Sequence, residues 1–389
     1  MGPLQRARGP VHQSVGRGHG AGSACHRPRT PRRWGRSAVG PARSGVVGSG
    51  QAVPVTEVAA MPRTTFTDLV GCRLPVQQAP MGAISPPALA RAVAAAGGLG
   101  TISVPPGGEV PADLAEQTDL PGGVFAVNLV GEGVALDTIR RAAAHARVVD
   151  FFWSWPHRAA VDAVHAEGAL ASWQVGSLAE AVDAVDAGVD LVTVQGRGAG
   201  GHVRGDEPLG ALLASVVAAV AVPVLAAGGI GDARSLADVL AAGGARVGTR
   251  LVATPESGAH PDYVAAVLAA RSGSTEITDA FALCPLCATR PTARVLSSAV
   301  AAVRALPEGQ VGVLTTPNGE MALTRGHGMP PSRVVTGTVA AMALYAGEAV
   351  GAVSDVRPAG DVVAAMCRGA DALLVGAVPQ PREPGGRER

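Results

Sequence analysis

The chain has 389 residues, enough for two average domains or for one α/β barrel with additions. Its formal net charge is +1, from 32 Lys+Arg against 31 Asp+Glu, so the whole-chain field demands no nucleic acid or other polyanion. Every basic side chain among those 32 is arginine, and the absence of a lysine amine excludes Schiff-base aldolases, pyridoxal-phosphate enzymes and Walker-type nucleotide binders.

Residues 1–60 carry Arg6, Arg8, Arg17, Arg27, Arg29, Arg32, Arg33, Arg36 and Arg43 among many glycines and prolines, with Glu57 the single acid before Asp68. Such a composition buries no core and reads as a disordered leader outside the working protein, which would start at Met61. The "PRRWGRS" stretch suggests an export signal, but no apolar segment follows it. Cys25, Cys72, Cys284, Cys287 and Cys367 are odd in number and sparse, which fits a reducing cytoplasm. The Cys284-Pro-Leu-Cys287 spacing has neither a second pair nor a histidine pair, so no metal is expected, and two ordinary loop thiols are favoured over a redox dithiol.

From Met61 onward, eight short apolar runs follow one another in chain order: 75–82, 94–104, 124–130, 148–153, 165–175, 186–196, 222–229 and 241–249. Several begin after Ala-x-Gly or Ala-Gly-Gly, the signature of a helix closed by a left-handed glycine before the next strand. The runs lack polar alternation, as in a parallel sheet covered on both faces. Ala211 to Ile230 is apolar throughout, but Pro223 divides it into a buried helix and a buried strand, so it is not read as a membrane span. Eight βα units predict a (β/α)8 barrel, with a doubly wound sheet as the alternative; polar and glycine residues at nearly every strand end favour the barrel. The barrel domain is placed at 61–378. Within it, 256–330 is expected to be an irregular capping segment with a helix near 261–271, and helices are expected at 333–350 and 358–368. Residues 379–389 are read as a disordered tail.

The strand ends carry the candidate site. Gly228 and Gly229 follow strand 7, before a helix starting near Asp232, and Gly248 and Thr249 follow strand 8. These are the two positions where barrel enzymes build phosphate sites from backbone N–H groups. Met81 and Gly82 end strand 1, Asn128 strand 3, Gln174 strand 5 and Gln195 strand 6. Amides both donate and accept, which suits the edge of an isoalloxazine or a ribityl chain, and their convergence with a phosphate site points to FMN. In "QGRGAGGHVRG", Gly200 and Gly201 bring the backbone towards the flavin and present His202 as the candidate catalytic group. Tyr345 is a candidate substrate contact, with packing an equal alternative.

Five segments, "PVQQAPMGAISPPALARAVAAAGGLG", "FAVNL", "VQGRGAGGHVRG", "VLAAGGIGDARSLADVL" and "VGTRLVATPES", together resemble the nitronate monooxygenase family, formerly 2-nitropropane dioxygenases. The similarity runs from about Leu69 to "MALYAGEAVG". It implies an FMN-dependent barrel that oxidises alkyl nitronates with O2, with FMN contacts at Asn128, Gln195, Gly200, Gly229 and Arg246-Val247-Gly248-Thr249, and with His202 catalytic. An NAD(P)H-dependent FMN reductase of enoyl thioesters or quinones on the same scaffold is the alternative; a flavin-free barrel binding a phosphorylated metabolite is a third reading. The sequence departs from the family at Gly198, where relatives usually carry an acid, and in "DFFWSWP". It also departs in the stretch before Gly248, which is about two residues short and is expected to weaken strand 8 and the FMN phosphate site. Small-molecule substrate and O2 are the expected partners, with no nucleic acid and no membrane; the oligomeric state stays open.

Overall fold

The computed structural model describes residues 61, 63–284, 291–317 and 319–377. Eight parallel strands close into a barrel: β1 (Val76–Gln78), β2 (Leu99–Val104), β3 (Val124–Val130), β4 (Val148–Phe152), β5 (Leu170–Val175), β6 (Leu191–Gln195), β7 (Val224–Ala227) and β8 (Gly243–Val247). They follow the eight runs read from the sequence, and closure excludes the doubly wound sheet. The expectation of a weakened strand 8 is corrected: β8 pairs with β7 at four positions and with β1 at three. The short connection is absorbed upstream, where a 3-10 turn, Leu240–Ala242, runs directly into the strand.

Helices α1 (Thr65–Val70), α2 (Pro87–Ala96), α3 (Leu114–Thr118), α4 (Leu136–Ala143), α5 (Arg158–His165), α6 (Leu178–Asp186), α7 (Leu209–Ala219) and α8 (Ala233–Ala237) alternate with the strands. Each turns a narrow apolar stripe inward; α4, for example, buries Ile139, Ala142 and Ala143 and leaves both of its arginines outside the core. Gly97 closes α2 at φ +102, a backbone conformation that side chains avoid, and so aims the chain into β2. The apolar stretch around Pro223 is indeed helix α7 followed by strand β7. Among the described residues no helix is long and apolar enough to cross a membrane.

The core is layered. A belt between strands and helices contains Val127, Val149, Trp173, Val192 and Leu212. At the N-terminal ends of the strands, Phe66 and Val70 of α1 pack on Leu99, Ala126, Val148, Leu191 and Leu225. Truncating one such fully buried leucine to alanine costs roughly 2–5 kcal/mol. With that end closed by apolar packing, the polar interior groups lie toward the other end of the barrel, where the site forms.

Beyond β8 the chain caps the barrel, with more order than the sequence suggested. Helices α9 (Thr249–Val252), α10 (Pro261–Ala269) and α11 (Ser297–Ala305) are accompanied by β9 (Thr275–Thr278), β10 (Ala293–Leu296), β11 (Gln310–Thr316), β12 (Gly319–Thr324) and β13 (Val335–Gly337). Residues 333–350 are not the helix expected there: they form β13 and two 3-10 turns, because Gly337 at φ +122 and the small-residue run after it favour an extended, tightly packed course. The last helix, α12 (Ala359–Ala377), is longer than expected and lies on α2 and α8. The readings of residues 1–60 and 379–389, and of Cys25 and Cys287, fall outside the described residues.

Candidate functional site

A cavity of about 610 Å³ opens at the C-terminal ends of the strands. Its floor is a buried polar network that starts from one charge in each of two strands. Asp150, in the middle of the apolar β4, and Arg246, in β8, both point into the barrel and are 0% and 4% exposed. A lone buried charge is prohibitive, so the two must meet. Arg246 Nη2 donates to Asp150 Oδ1 at 2.6 Å. The same guanidinium donates to Gln77 Oε1 at 3.0 and 3.2 Å and to Gln174 Oε1. Asp150 also accepts from Ser172 Oγ at 2.8 Å and from Asn128 Nδ2 at 2.8 Å.

This network orients Asn128. Its amide nitrogen is fixed by Asp150, which leaves Oδ1 buried without a hydrogen-bond partner on a residue that lines the cavity. An orphaned buried acceptor costs roughly 1–3 kcal/mol unless a ligand supplies the donor. Gln174 lines the cavity too, but its carbonyl oxygen is engaged by Arg246. Gln195 is engaged on both sides: its Nε2 donates to the His202 carbonyl at 3.0 Å, and its Oε1 accepts from Arg204 N at 2.9 Å. It therefore acts first as a strut for the loop after β6.

Most of the other residues singled out in the sequence converge here. Met81, Gly82, Gly200, Gly201, His202, Gly228, Gly229, Arg246, Gly248, Thr249 and Tyr345 all line the cavity. Gly228 and Gly229 are consecutive left-handed residues at φ +107 and +74, and a Cβ on Gly228 would press to 2.8 Å from Ala199 N. The helix after them begins at Ala233 with Asp232 as its cap in a capping box, close to the expected position. Thr249 Oγ1 accepts from Gly347 N at 2.9 Å. Val247 does not line the cavity: its side chain alternates outward into the apolar cluster with Val76, Leu89 and Ala226.

His202 sits on a two-residue strand, Gly201–His202, that pairs antiparallel with β10 through Ala293 and Arg294. Arg294 Nε donates to the Arg197 carbonyl at 3.0 Å and its Nη2 lies 3.2 Å from Glu348 Oε1, so the loop is held from the capping segment. Aromatic rings flank the imidazole, Trp153 at 5.5 Å and Tyr345 at 5.7 Å between centroids, and Cys284 Sγ lies 3.1 Å from Nε2. Burial pushes the imidazole pKa down to about 4, so it is uncharged at neutral pH. Tyr345 itself donates from its hydroxyl to the Gly328 carbonyl at 2.6 Å while lining the cavity, so it packs and also faces that space.

At Gly198, an added Cβ would meet Glu348 Oε2 at 2.6 Å. The space beside the loop is thus already filled by a carboxylate from elsewhere in the chain. Sequence reading missed Asp150, Gln77, Trp153, Cys284 as a wall residue, and the Arg294–Glu348 pair. Asp150 alone left a readable signal, an acid inside "VVDFF"; the others arrive from distant segments.

An eight-stranded parallel barrel with a cavity at its C-terminal mouth and a polar floor is the architecture of a barrel enzyme. The nitronate monooxygenase family model matches residues 63–130 and 130–369. The chain belongs to that family, a family of flavin-dependent oxidoreductases. A nitronate monooxygenase of Pseudomonas aeruginosa is 32% identical over 268 residues, covering 55% of this chain and 76% of that protein. A (3aS,4S,5R,7aS)-5-hydroxy-7a-methyl-1-oxo-octahydro-1H-indene-4-carboxyl-CoA dehydrogenase of Rhodococcus jostii is 35% identical over 203 residues, 50% of this chain; the match spans only 56% of that relative's length. Among solved structures, a nitroalkane oxidase from Streptomyces ansochromogenes superposes with a TM-score of 0.60 at 27% identity, covering 80% of this chain and 99% of that one. FabK from Thermotoga maritima shares the fold, with a TM-score of 0.62 at 24% identity over 81% of this chain and 98% of its own.

Proposed function

We propose that the protein is an FMN-dependent nitronate monooxygenase that oxidises alkyl nitronates with O2. The observation that carries this reading is the uncharged His202 at the mouth of a cavity whose floor holds the unpartnered Asn128 Oδ1. The orphaned acceptor suits a ring N–H of a flavin. Gly228 and Gly229, left-handed residues without side chains, and Gly248 and Thr249 at the start of α9 suit its phosphate, because they leave backbone N–H groups open to an anion. When bound, the flavin supplies the redox chemistry, accepting electrons from the substrate for transfer to O2.

The chain's own residues do the rest. A nitronate is already deprotonated, so the site needs a group that orients the nitro oxygens more than a strong base. A neutral imidazole with a pKa near 4 meets that need, donating a hydrogen bond without a charge to desolvate, and it is a weak base toward a neutral nitroalkane. Trp153 and Tyr345 restrict its ring, and the Gln195 strut fixes its backbone. The test is purified protein mixed with propyl-2-nitronate under air: flavin-coloured protein that consumes O2 is expected, and no nitronate-dependent uptake rejects the assignment.

A second reading is favoured by the 35% identity to a CoA-thioester dehydrogenase. It makes the protein an NAD(P)H-dependent flavin reductase of enoyl thioesters or quinones. Anaerobic bleaching of the flavin by NADH or NADPH at catalytic rates is its signature.

A further inference from the structure

Cys284 stands on the cavity wall with Sγ 3.1 Å from His202 Nε2. The backbone pins it there. Leu283 N–H donates to the Gly326 carbonyl at 3.1 Å, and Gly328 N–H donates to the Leu283 carbonyl at 3.1 Å. Gly328 lies so close that a Cβ on it would come within 2.8 Å of Cys284 Cβ. The backbone that carries the thiol is thus held beside the imidazole.

The other described cysteines contrast with it. Cys72 and Cys367 are fully buried, away from the cavity, and burial pushes both thiols up to about 12. Cys284 is half-buried and faces a space of about 610 Å³. That space is shaped for an occupant, because its floor leaves Asn128 Oδ1 buried and unpartnered. His327 also lines the cavity, yet its Nδ1 accepts from Met329 N at 3.1 Å, and Tyr345 directs its hydroxyl to the Gly328 carbonyl. His202 is the imidazole within hydrogen-bond distance of the sulfur.

We propose that Cys284 is a nucleophilic thiol whose proton acceptor is His202, and that the cavity takes alkenes conjugated to a carbonyl as covalent ligands at this sulfur. In the step, sulfur forms a bond to the β-carbon and the alkene π bond breaks, its electron pair passing to the α-carbon. The S–H proton moves to His202 Nε2 and from there to the α-carbon. Atoms and electrons balance without an oxidant, a reductant or a flavin; the inference shares its cavity and Asn128 with the proposed function, but its test reads the thiol and not turnover. His202 is uncharged at neutral pH, so its ring can accept the proton; with a pKa of about 4 it is a weak base, and the transfer is concerted with formation of the C–S bond and does not pass through a standing thiolate–imidazolium pair.

The experiment treats the purified full-length protein with N-ethylmaleimide, a conjugated alkene, and maps each cysteine by mass spectrometry over time. Cys284 is expected to react at least ~10-fold faster than Cys72 and Cys367. Its rate is expected to be flat between about pH 5.5 and 7.5, since the imidazole is deprotonated throughout; an unassisted thiol with a pKa of ~8.5 gains about tenfold per pH unit instead. His202→Gln is expected to slow Cys284 about tenfold and to restore the steep profile. Labelling of Cys284 as slow as that of the buried thiols overturns the proposal, as does a steep profile in the unmodified protein or an unchanged rate in His202→Gln. If that variant fails to fold, the pH profile of the natural protein decides alone.

Discussion

Arg246 and Asp150 form an ion pair at the centre of the barrel, 2.6 Å from Nη2 to Oδ1, with side chains 2% and 0% exposed. Each strand brings one charge into a space closed to bulk solvent, and each charge is tolerable only because the other is there. Asp150→Asn keeps the shape but leaves the guanidinium uncompensated. A loss of roughly 3–5 kcal/mol in unfolding free energy is expected from urea titration. A loss below about 1 kcal/mol contradicts the view that this pair organises the floor.

Asn128 depends on the same pair for its orientation. Asn128→Ala removes the unpartnered Oδ1 and leaves the surrounding strands intact. Flavin affinity is expected to weaken about tenfold or more, equivalent to ~1.4 kcal/mol, in titrations of protein stripped of flavin. Unchanged affinity removes Asn128 from the cofactor site.

His202 gives a prediction with a sign. Burial lowers its pKa from 6.5 to about 4, so the folded protein takes up the proton later than the unfolded chain as pH falls. The unfolded state therefore binds more protons between about pH 6.5 and 4, and the natural protein should lose stability relative to His202→Gln across that window. The difference approaches about 3 kcal/mol below pH 4 and vanishes above 6.5. Turnover should be flat with respect to this group down to about pH 5. His202→Ala should lose at least ~100-fold in kcat while retaining flavin. Equal stability curves for the two proteins show that the imidazole is more hydrated than its surroundings imply.

The barrel was legible because its signal is local and repeated. Each strand is a short apolar run, and glycines such as Gly97 mark the helix ends. The mouth was legible because glycine, asparagine and histidine at strand ends have few structural reasons to be there. The cap was not: Gly337 and the neighbouring small residues mimic a helix in sequence, whereas their conformation depends on β11 beside them. Gln174 and Gln195 show a similar limit. Their residue type announces hydrogen bonding, but the partner is chosen by Arg246 and by the loop after β6, neither of which lies nearby in the sequence. Cys284 reads from its spacing to Cys287 as one of two loop thiols, while its sulfur lies 3.1 Å from the ring of a histidine 82 residues away.

The loop carrying His202 offers a double-mutant test. Gly198→Glu alone brings a second carboxylate against Glu348, which also holds Arg294. A tenfold or greater loss of turnover is expected, with recovery of most of it in Gly198→Glu combined with Glu348→Gly; additive losses show that the two positions do not communicate.

The crowding of Gly198 by Glu348 also constrains descent. A lineage cannot acquire an acid at 198 and keep one at 348 without passing through a form with two crowded carboxylates and a disturbed Arg294. The Glu348 side chain is more than half exposed, so such a form would have to swing it away from the loop and give up its contact with Arg294.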